Sequence, residues 1–254
     1  MNLNTTKRMQ NCEPDTLLID RALAENYAGY YQNDPELAVW RRLGAADKCE
    51  NILRLCSNLP HADVLEIGCG DGAVLERLRH LNFGCHLTGL EISSSAVHEA
   101  KARNIRDVQV QLFNGYQLPF HARQFDLAIL THVVEHVEYP RKLIREAGKV
   151  ARYVFVEVPL EDNWRLSSDF VFDRIGHINF YSPKTIRRLV QSCGMRVLNA
   201  HLCHSSPACY VYRKGKIHGF SSYFVKEMLL RSWPSVATKV LTYHYSLVYA
   251  EAGC

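Results

Sequence analysis

The sequence of 254 residues lacks the features that mark membrane-spanning, secreted and zinc-binding proteins. No apolar run reaches the roughly 18 residues that a membrane span needs. The first ten residues are polar, so we expect no secretory signal peptide. Nine cysteines are scattered without the C-x-x-C spacing of a zinc knuckle. An odd number of cysteines without a framework predicts reduced, mostly buried thiols and a cytoplasmic location.

The composition is that of a globular protein, but the charge is uneven along the chain. Hydrophobic residues make up 47% of the sequence and charged residues 22%. The formal net charge of +4 arises in the last 54 residues, which hold six Lys or Arg and two acids. Such sparse charge is more typical of a solvated surface than of a surface that follows nucleic acid phosphates. We therefore expect no nucleic acid partner, while an anionic substrate or a membrane surface stays open.

Apolar strands and helical patterns alternate through the middle of the chain. Five strands are predicted at residues 63–67, 86–90, 108–113, 125–130 and 153–158. Helices are predicted at 72–81, 93–103, 140–149 and 183–193, and a sixth strand at 195–202. Buried strands separated by helices indicate a parallel sheet that is covered on both faces.

The flanking segments are less regular. Helices are predicted at 15–27 and 34–57, residues 203–218 look irregular and polar, and short helices at 220–231 and 235–242 precede a last strand at 246–250. We expect these two short helices to pack over a binding pocket or to form a dimer contact. The alternative is an interfacial segment, because Phe220, Tyr223, Phe224 and Met228 fall on one helical face.

A glycine-rich turn joins the first strand to the next helix, in Val64-Leu65-Glu66-Ile67-Gly68-Cys69-Gly70-Asp71-Gly72. Glycines let the backbone approach a ligand closely, and the following helix presents free N–H groups. Gly68-x-Gly70-x-x-Ala73 also matches the dinucleotide pattern. The carboxylates of Glu66 and Asp71 argue against a pyrophosphate, however, and favour a cationic group such as an α-amino group or a sulfonium. Glu91 ends the second strand, where a carboxylate accepts both hydroxyls of a ribose in either class of fold.

These motifs resemble those of the class I S-adenosylmethionine-dependent methyltransferases. The resemblance rests on Val64 to Gly72, Glu91, Leu118-Pro119-Phe120, Phe125-Asp126-Leu127 and Val134-Glu135-His136-Val137. It covers roughly residues 40–200 and the last strand, and is greatest to the small-molecule branch that includes the ubiquinone-biosynthesis type. It implies a Rossmann-like α/β fold with a seven-stranded, mostly parallel sheet, helices on both faces and an antiparallel last strand. We expect one domain, with an N-terminal helical lid (1–57), a cofactor-binding core (58–202), an acceptor-side insertion (203–243) and a final strand (244–254).

The resemblance also implies which residues hold S-adenosylmethionine and its product, S-adenosylhomocysteine. By the part of the cofactor that they contact, these are Glu66, Gly68, Cys69 and Gly70 for the methionine, Glu91 for the ribose, Ile92, Asn114, Gly115 and Tyr116 for the adenine, and Thr131 and His132 near the methyl group. Asn114 stands where the family often has Asp, and its carbonyl oxygen can still accept a hydrogen bond from the adenine amino group.

Three histidines, His132, His136 and His177, are candidates for a general base. If residues 132–136 are helical, His132, Glu135 and His136 share one face. His177 is favoured, because its loop is predicted on the acceptor side. Two alternatives stay open: the histidines and Glu135 hold a divalent metal, or Glu135 and His136 are structural. We expect no metal.

The predicted reaction is methyl transfer to oxygen, or next to nitrogen, of a small organic acceptor. Aromatic residues of the lid, of residues 160–182 and of residues 203–243 are expected to line the acceptor pocket. The alternatives are methylation of RNA or another macromolecule, and a non-catalytic partner subunit that binds the cofactor. We expect no membrane span, and either a monomer or a homodimer.

Overall fold

The computed structural model describes residues 35–167 and 176–252, so the helix predicted at 15–27 lies outside the described residues. The strands are β1 (Asp63–Ile67), β2 (His86–Glu91), β3 (Val108–Leu112), β4 (Phe125–Thr131), β5 (Ala151–Leu160), β6 (Met195–Cys203) and β7 (Tyr243–Glu251). The helices are α1 (Pro35–Cys56), α2 (Ala73–His80), α3 (Ser94–Ala102), α4 (Pro140–Val150), α5 (Pro183–Gln191), α6 (Pro207–Lys214), α7 (Lys216–Ser232) and α8 (Pro234–Val240).

All seven strands pair in one sheet in the order β3-β2-β1-β4-β5-β7-β6. The five strands from β3 to β5 in this order are parallel, and β7 is antiparallel to both β5 and β6. Chain connections leave β1 in opposite directions toward β2 and β4, so the carboxyl end of β1 borders the crevice where α/β sheets bind ligands. The predicted seven-stranded sheet with an antiparallel last strand is confirmed.

Helices cover both faces of the sheet, as the apolar strands predicted. On one face, α1, α2 and α3 contribute side chains such as Ile52, Leu75 and Val97 to a buried cluster. On the other face, α4 and α5 contribute Ile144 and Ile186 to a second cluster. Among the residues described, no helix is both long and apolar enough to cross a bilayer. The seven cysteines described are free, and five of them are buried.

One local prediction is wrong, and the helix considered for residues 132–136 is absent. Residues 203–218 are not irregular: α6 begins at Pro207, and Gly215 (φ 74°) separates it from α7. The two helices cross so closely that a Cβ on Gly219 would lie 2.6 Å from Cα of Val211, and this tertiary contact is invisible in the sequence. Residues 132–136 form turns rather than a helix, because His132 has a left-handed backbone (φ 57°).

Candidate active site

A tight glycine turn between β1 and α2 forms one wall of the site. Gly68, Gly70 and Gly72 have positive φ values of 77°, 53° and 78°, which glycine adopts without strain. The N–H of Gly68 donates to the carbonyl of Leu90 at 2.7 Å and ties the turn to the end of β2. A Cβ on Gly68 would lie 2.6 Å from Cγ2 of Val133. Position 68 therefore has no room for a side chain while Val133 keeps its place.

Glu66 places a buried carboxylate just before this turn. The residue is 1% exposed, and its Oε2 atom has no hydrogen-bond partner among the described residues. Burial raises the pKa of Glu66 to about 8, with Asp71 and Glu91 adding to the effect and Lys48 opposing it. An unsatisfied buried carboxylate is costly, and a cationic ligand group beside it would remove that cost. The turn therefore fits a ligand that carries a positive charge.

Asp71, the other carboxylate of the turn, is already compensated within the protein. Its Oδ2 atom lies 2.9 Å from Nε of Arg41 and 2.7 Å from a terminal nitrogen of Arg103. These cations come from α1 and α3, so the sequence of the turn alone could not reveal them. The prediction that both carboxylates favour a cationic ligand is therefore wrong for Asp71 and stays a prediction for Glu66.

A cavity of about 420 Å³ lies at the carboxyl ends of β1, β4 and β5. The predicted residues that line it are Glu66, Gly68, Cys69, Gly70, Thr131, His132, His136 and His177. Sequence reasoning missed Lys48 from α1, Glu157 and Glu161 from the end of β5, and His244 from β7. The available signal for Glu157 was its place as a lone acid in an apolar strand, since buried acids are rarely kept without a partner.

The residues predicted for ribose and adenine do not line this cavity. Glu91 Oε2 accepts the N–H of Gly70 at 2.9 Å, and Oε1 accepts the N–H groups of Ile92 and Ser93 at 2.8 and 3.0 Å. A carboxylate offers about four acceptor sites, so these bonds leave little room for two ribose hydroxyls. The ribose contact of Glu91 stays a prediction.

The adenine-side segment is similarly occupied by its own backbone. Oδ1 of Asn114 accepts the N–H groups of Tyr116 and Gln117 at 3.1 and 2.8 Å. Tyr116 is 2% exposed, and its hydroxyl accepts the N–H of Tyr139 at 3.3 Å. Asn114 therefore shapes the loop that contains Gly115, and its contact with adenine remains a prediction.

His132 lies directly after β4 between two buried carboxylates. Its Nδ1 is 3.2 Å from Oε1 of Glu135, and its Nε2 is 3.4 Å from Oε1 of Glu157. Burial alone would lower the pKa of His132, but the two carboxylates raise it above its ordinary value. Burial likewise opposes ionisation of Glu135, yet the adjacent His132 holds the pKa of that carboxyl below its usual range. An imidazolium flanked by two carboxylates is favoured, which makes His132 a poor proton acceptor near neutral pH.

Glu157 is further fixed by polar side chains from other elements. Nδ2 of Asn51 and Oγ of Ser246 each donate to its Oε2 at 2.7 Å. Despite burial, the His132 contact lowers the pKa of Glu157 to about 2. Burial and the charge of His132 lower the pKa of His244 to about 3, so this ring is neutral. His132 thus lies between two buried carboxylates, while the adjacent ring of His244 is neutral.

His177 and His136 both line the cavity, and their rings are in edge contact with 4.7 Å between centroids. Nδ1 of His177 lies 2.7 Å from Oε2 of Glu161, a hydrogen bond in which the ring donates. A carboxylate partner at Nδ1 favours the tautomer that carries the ring proton on that nitrogen. Nδ1 of His136 contacts the carbonyl oxygen of Gly176 at 3.1 Å, and burial lowers the pKa of His136.

Potential metal ligands fall into two groups among the described residues. One is His132, Glu157 and His244, and the other is Glu135, His136 and His177; within each group the ligand atoms lie within 4.8 Å of one another. The four-residue set considered from the sequence is therefore divided, because the turn at 132–136 directs His132 and His136 to different partners.

Most aromatic residues expected around the acceptor lie elsewhere. Trp40 lines the cavity, whereas Trp164 is 80% exposed and Phe224 is 60% exposed. Tyr210 and Tyr223 pack around His204, with ring centroids 5.7 and 5.0 Å away. Five further aromatic residues lie outside the described ranges, namely Tyr27, Tyr30, Tyr31, Phe170 and Phe172.

Comparison with known proteins supports the interpretation of the turn. The family described as "Methyltransferase domain" matches residues 39–200. The mitochondrial ubiquinone biosynthesis O-methyltransferase of Candida albicans is 29% identical over 91 residues, which cover 34% of this chain and only 28% of that protein. The ubiquinone biosynthesis O-methyltransferase of Nitrosococcus oceani is 22% identical over 184 residues, covering 65% of this chain and 76% of that protein.

A solved structure shows the same fold. It is a S-adenosylmethionine-dependent methyltransferase from Thermotoga maritima, described as a possible histamine N-methyltransferase, with a TM-score of 0.60 and 14% identity. The similarity covers 91% of this chain and 100% of that chain. At this identity the likeness concerns the fold, while the family match extends over more than half of the sequence. The chain belongs to the methyltransferase domain family, as a class I S-adenosylmethionine-dependent methyltransferase.

Proposed function

We propose that this protein transfers a methyl group from S-adenosylmethionine to an oxygen atom of a small organic acceptor, with nitrogen as the second candidate atom. The observation that carries the proposal is the unpartnered, buried Oε2 of Glu66 beside the glycine turn. A cationic amino group is the partner that such an oxygen requires. The relatives named as O-methyltransferases support oxygen as the accepting atom.

In this proposal, Glu66, Gly68, Cys69 and Gly70 hold the methionine part of the cofactor. When bound, S-adenosylmethionine supplies an electrophilic methyl group on a sulfonium. The buried carboxylate of Glu66 beside the glycine turn supports binding of that cation. Thr131 and His132 border the same cavity from the end of β4.

His177 is the proposed general base. Its Nε2 would take the proton of an acceptor hydroxyl, since Nδ1 is bound to Glu161 at 2.7 Å. Glu161 would orient the ring and favour its charged form after proton transfer. His132 is less suited to this role because its carboxylate neighbours already favour the imidazolium, and His136 is proposed as a neighbour of His177 rather than as the base.

The elements around the cavity support a small acceptor. From α1, Trp40, Arg41 and Lys48 line the cavity, so we propose that residues 1–57 act as a lid over the core at 58–202. From the insertion at 203–243, Cys209 and Arg213 line the cavity next to α1, with the guanidinium of Arg213 5.4 Å from the ring centroid of Trp40. A volume of about 420 Å³ is in the range of small-molecule pockets and supports a small acceptor over RNA.

The test is calorimetric titration of the protein with S-adenosylmethionine, S-adenosylhomocysteine and NADH, followed by transfer of labelled methyl groups to panels of phenols, hydroxy acids and amines and to RNA. We expect micromolar binding of the first two ligands and label on the oxygen acceptors. Binding of NADH alone, or of none of the three, would overturn the proposal. Tight cofactor binding without turnover on any acceptor would instead support a non-catalytic partner subunit, and label only on RNA would support the macromolecular alternative.

A further inference from the structure

Helix α7 carries an apolar stripe that is open to solvent. Ile217, Phe220, Phe224 and Met228 are 80%, 47%, 60% and 64% exposed. Their spacing of three, four and four residues places them on one face of the helix. Among the described residues, none from α7 lines the cavity, whereas Thr242, from the segment predicted at 235–242, does. The expected pocket or dimer contact of these helices stays a prediction. Exposed apolar patches of this kind mark interaction sites.

Further apolar side chains are exposed where α8 begins. Trp233 and Val236 are 65% and 49% exposed and lie three residues apart. Trp164 is 80% exposed and lies beside α8, because its N–H donates to the carbonyl of Lys239 at 2.9 Å. The residues of this apolar face are Trp164, Ile217, Phe220, Phe224, Val225, Met228, Trp233 and Val236. Two tryptophans at the end of an apolar helix face are typical of segments that lie at a membrane surface.

Cations outnumber acids in the segment that carries α7 and α8. Residues 203–240 contain six Lys or Arg and a single acid, Glu227. That acid is engaged, because its two carboxylate oxygens lie 2.6 Å from Nε of Arg231 and 3.0 Å from Nε2 of His204. Lys216 at the start of α7 and Lys239 on α8 are exposed at opposite ends of the face.

We propose that α7 and α8 form a docking surface for an anionic lipid bilayer, with both helices lying in the plane of the interface. A second copy of the chain is the less suitable occupant. A two-fold dimer through this face would bring the excess of cations on one copy against the same excess on the other, and the only acid of this segment, Glu227, already contacts Arg231 and His204. Anionic lipid headgroups compensate those cations, while the apolar side chains enter the boundary with the acyl chains.

The proposed surface adjoins the cavity. The insertion that carries α7 and α8 also supplies Ser205, Cys209 and Arg213 to the cavity wall. Docking would therefore place the cavity close to the bilayer. Docking itself does not depend on the proposed methyl transfer, so the two proposals are tested separately.

The test is flotation of the full chain with vesicles of phosphatidylcholine alone and of phosphatidylcholine with about one third phosphatidylglycerol. We expect binding to the anionic vesicles, a blue shift of tryptophan fluorescence, and release at high salt. The double variant Phe224→Ser, Met228→Ser is expected to bind at least tenfold more weakly. Leu112→Ser is the matched control, because Leu112 is 55% exposed on the edge strand β3. The contribution of the cations is tested with the double variant Lys216→Glu, Lys239→Glu, and Lys101→Glu on α3 is its control.

Failure of the full chain to bind anionic vesicles, or binding that the Phe224 and Met228 variant leaves unchanged, would overturn the proposal. A dimer in sedimentation analysis that this variant dissociates, without vesicle binding, would assign the face to a second copy. Thermal unfolding checks that each variant is folded. Titration with S-adenosylmethionine is run in parallel, so that loss of cofactor binding with intact flotation counts only against the proposed function.

Discussion

The side chains of His132 and Glu157 approach to 3.4 Å across the ends of two neighbouring strands, β4 and β5. Their main chains are joined as well, because the N–H of His132 donates to the carbonyl oxygen of Glu157 at 2.9 Å. His132 and Glu157 are therefore joined by one backbone hydrogen bond and by one contact between their side chains. The position of this ion pair is therefore set by the pairing of β4 with β5.

Glu157→Gln is expected to destabilise the protein by about 3 kcal/mol at pH 7, because it leaves His132 short of a buried partner. The folded-state pKa of Glu157, about 2, is depressed from an ordinary 4.5. Its contribution to stability is therefore complete above about pH 4.5 and is lost as the pH falls toward 2. Urea unfolding at a series of pH values should show a shallower acid dependence in the variant. An equal effect of Glu99→Gln, a change at an exposed acid on α3, would contradict this assignment.

Glu66→Gln is expected to weaken binding of S-adenosylmethionine at least tenfold, measured by calorimetry. Without ligand, the same variant should be more stable than the parent protein at pH 9. The pKa of this carboxyl is raised to about 8, so stability is lost as the pH rises from about 4.5 through 8, and the amide removes that loss. A gain of about 1 kcal/mol would raise Tm by roughly 2–4 °C. Unchanged ligand affinity would remove Glu66 from the cofactor site, whatever the effect on Tm.

His177→Asn is expected to lower kcat by about 10²- to 10⁴-fold and to leave the affinity for S-adenosylmethionine nearly unchanged. Glu161→Gln should lower kcat less, because the amide still contacts the ring but does not favour its charged form. Loss of activity on dialysis against a chelator, with recovery on adding a divalent cation, would instead assign His177 to a metal site with Glu135 and His136.

Gly68→Ala is expected to destabilise the protein more than Gly194→Ala does. Both positions have positive φ, 77° and 82°, and share the backbone strain of about 1 kcal/mol. A Cβ at 194 meets nothing within 4 Å, whereas a Cβ at 68 meets Val133 at 2.6 Å. The clash adds about 1–3 kcal/mol, and Val133→Ala in the same chain should recover most of it. Denaturant unfolding of the parent, the two single glycine variants and the Gly68→Ala, Val133→Ala double variant measures the cost of the strain and the cost of the clash. Equal losses of unfolding free energy in the two glycine variants would contradict the close approach of Gly68 to Val133.

The sheet, most of its helices and the glycine turn follow from local patterns. Apolar runs and the glycine spacing are contiguous in the sequence, so their meaning does not depend on distant residues. The polar half of the site behaves differently. Glu157 and His244 meet His132 only because β5 pairs with β4 and β7, and the turn at 132–136 depends on the left-handed backbone of His132.

The charged partners of the glycine turn could likewise not be predicted from the sequence. From the sequence, Asp71 was predicted to favour a cationic ligand. In the structure it contacts Arg41 on α1 and Arg103 directly after α3, which lie 30 residues before it and 32 residues after it in the sequence. The helix α6 was missed for a related reason. Its stability comes from packing against α7 at Gly219 rather than from an apolar periodicity of its own.

The place of β7 in the sheet sets the order in which a newly made chain can complete its site. β7 follows β6 in the chain, yet it lies between β6 and β5. While the ribosome is still making residues 204–242, β6 has no strand to pair with and β5 keeps one edge open to other chains. The glycine turn rests on β1, β2 and β4, which emerge earlier, whereas His244 arrives with β7. A nascent chain therefore acquires the glycine turn first, and the wall that carries His244 closes only after β7 has emerged.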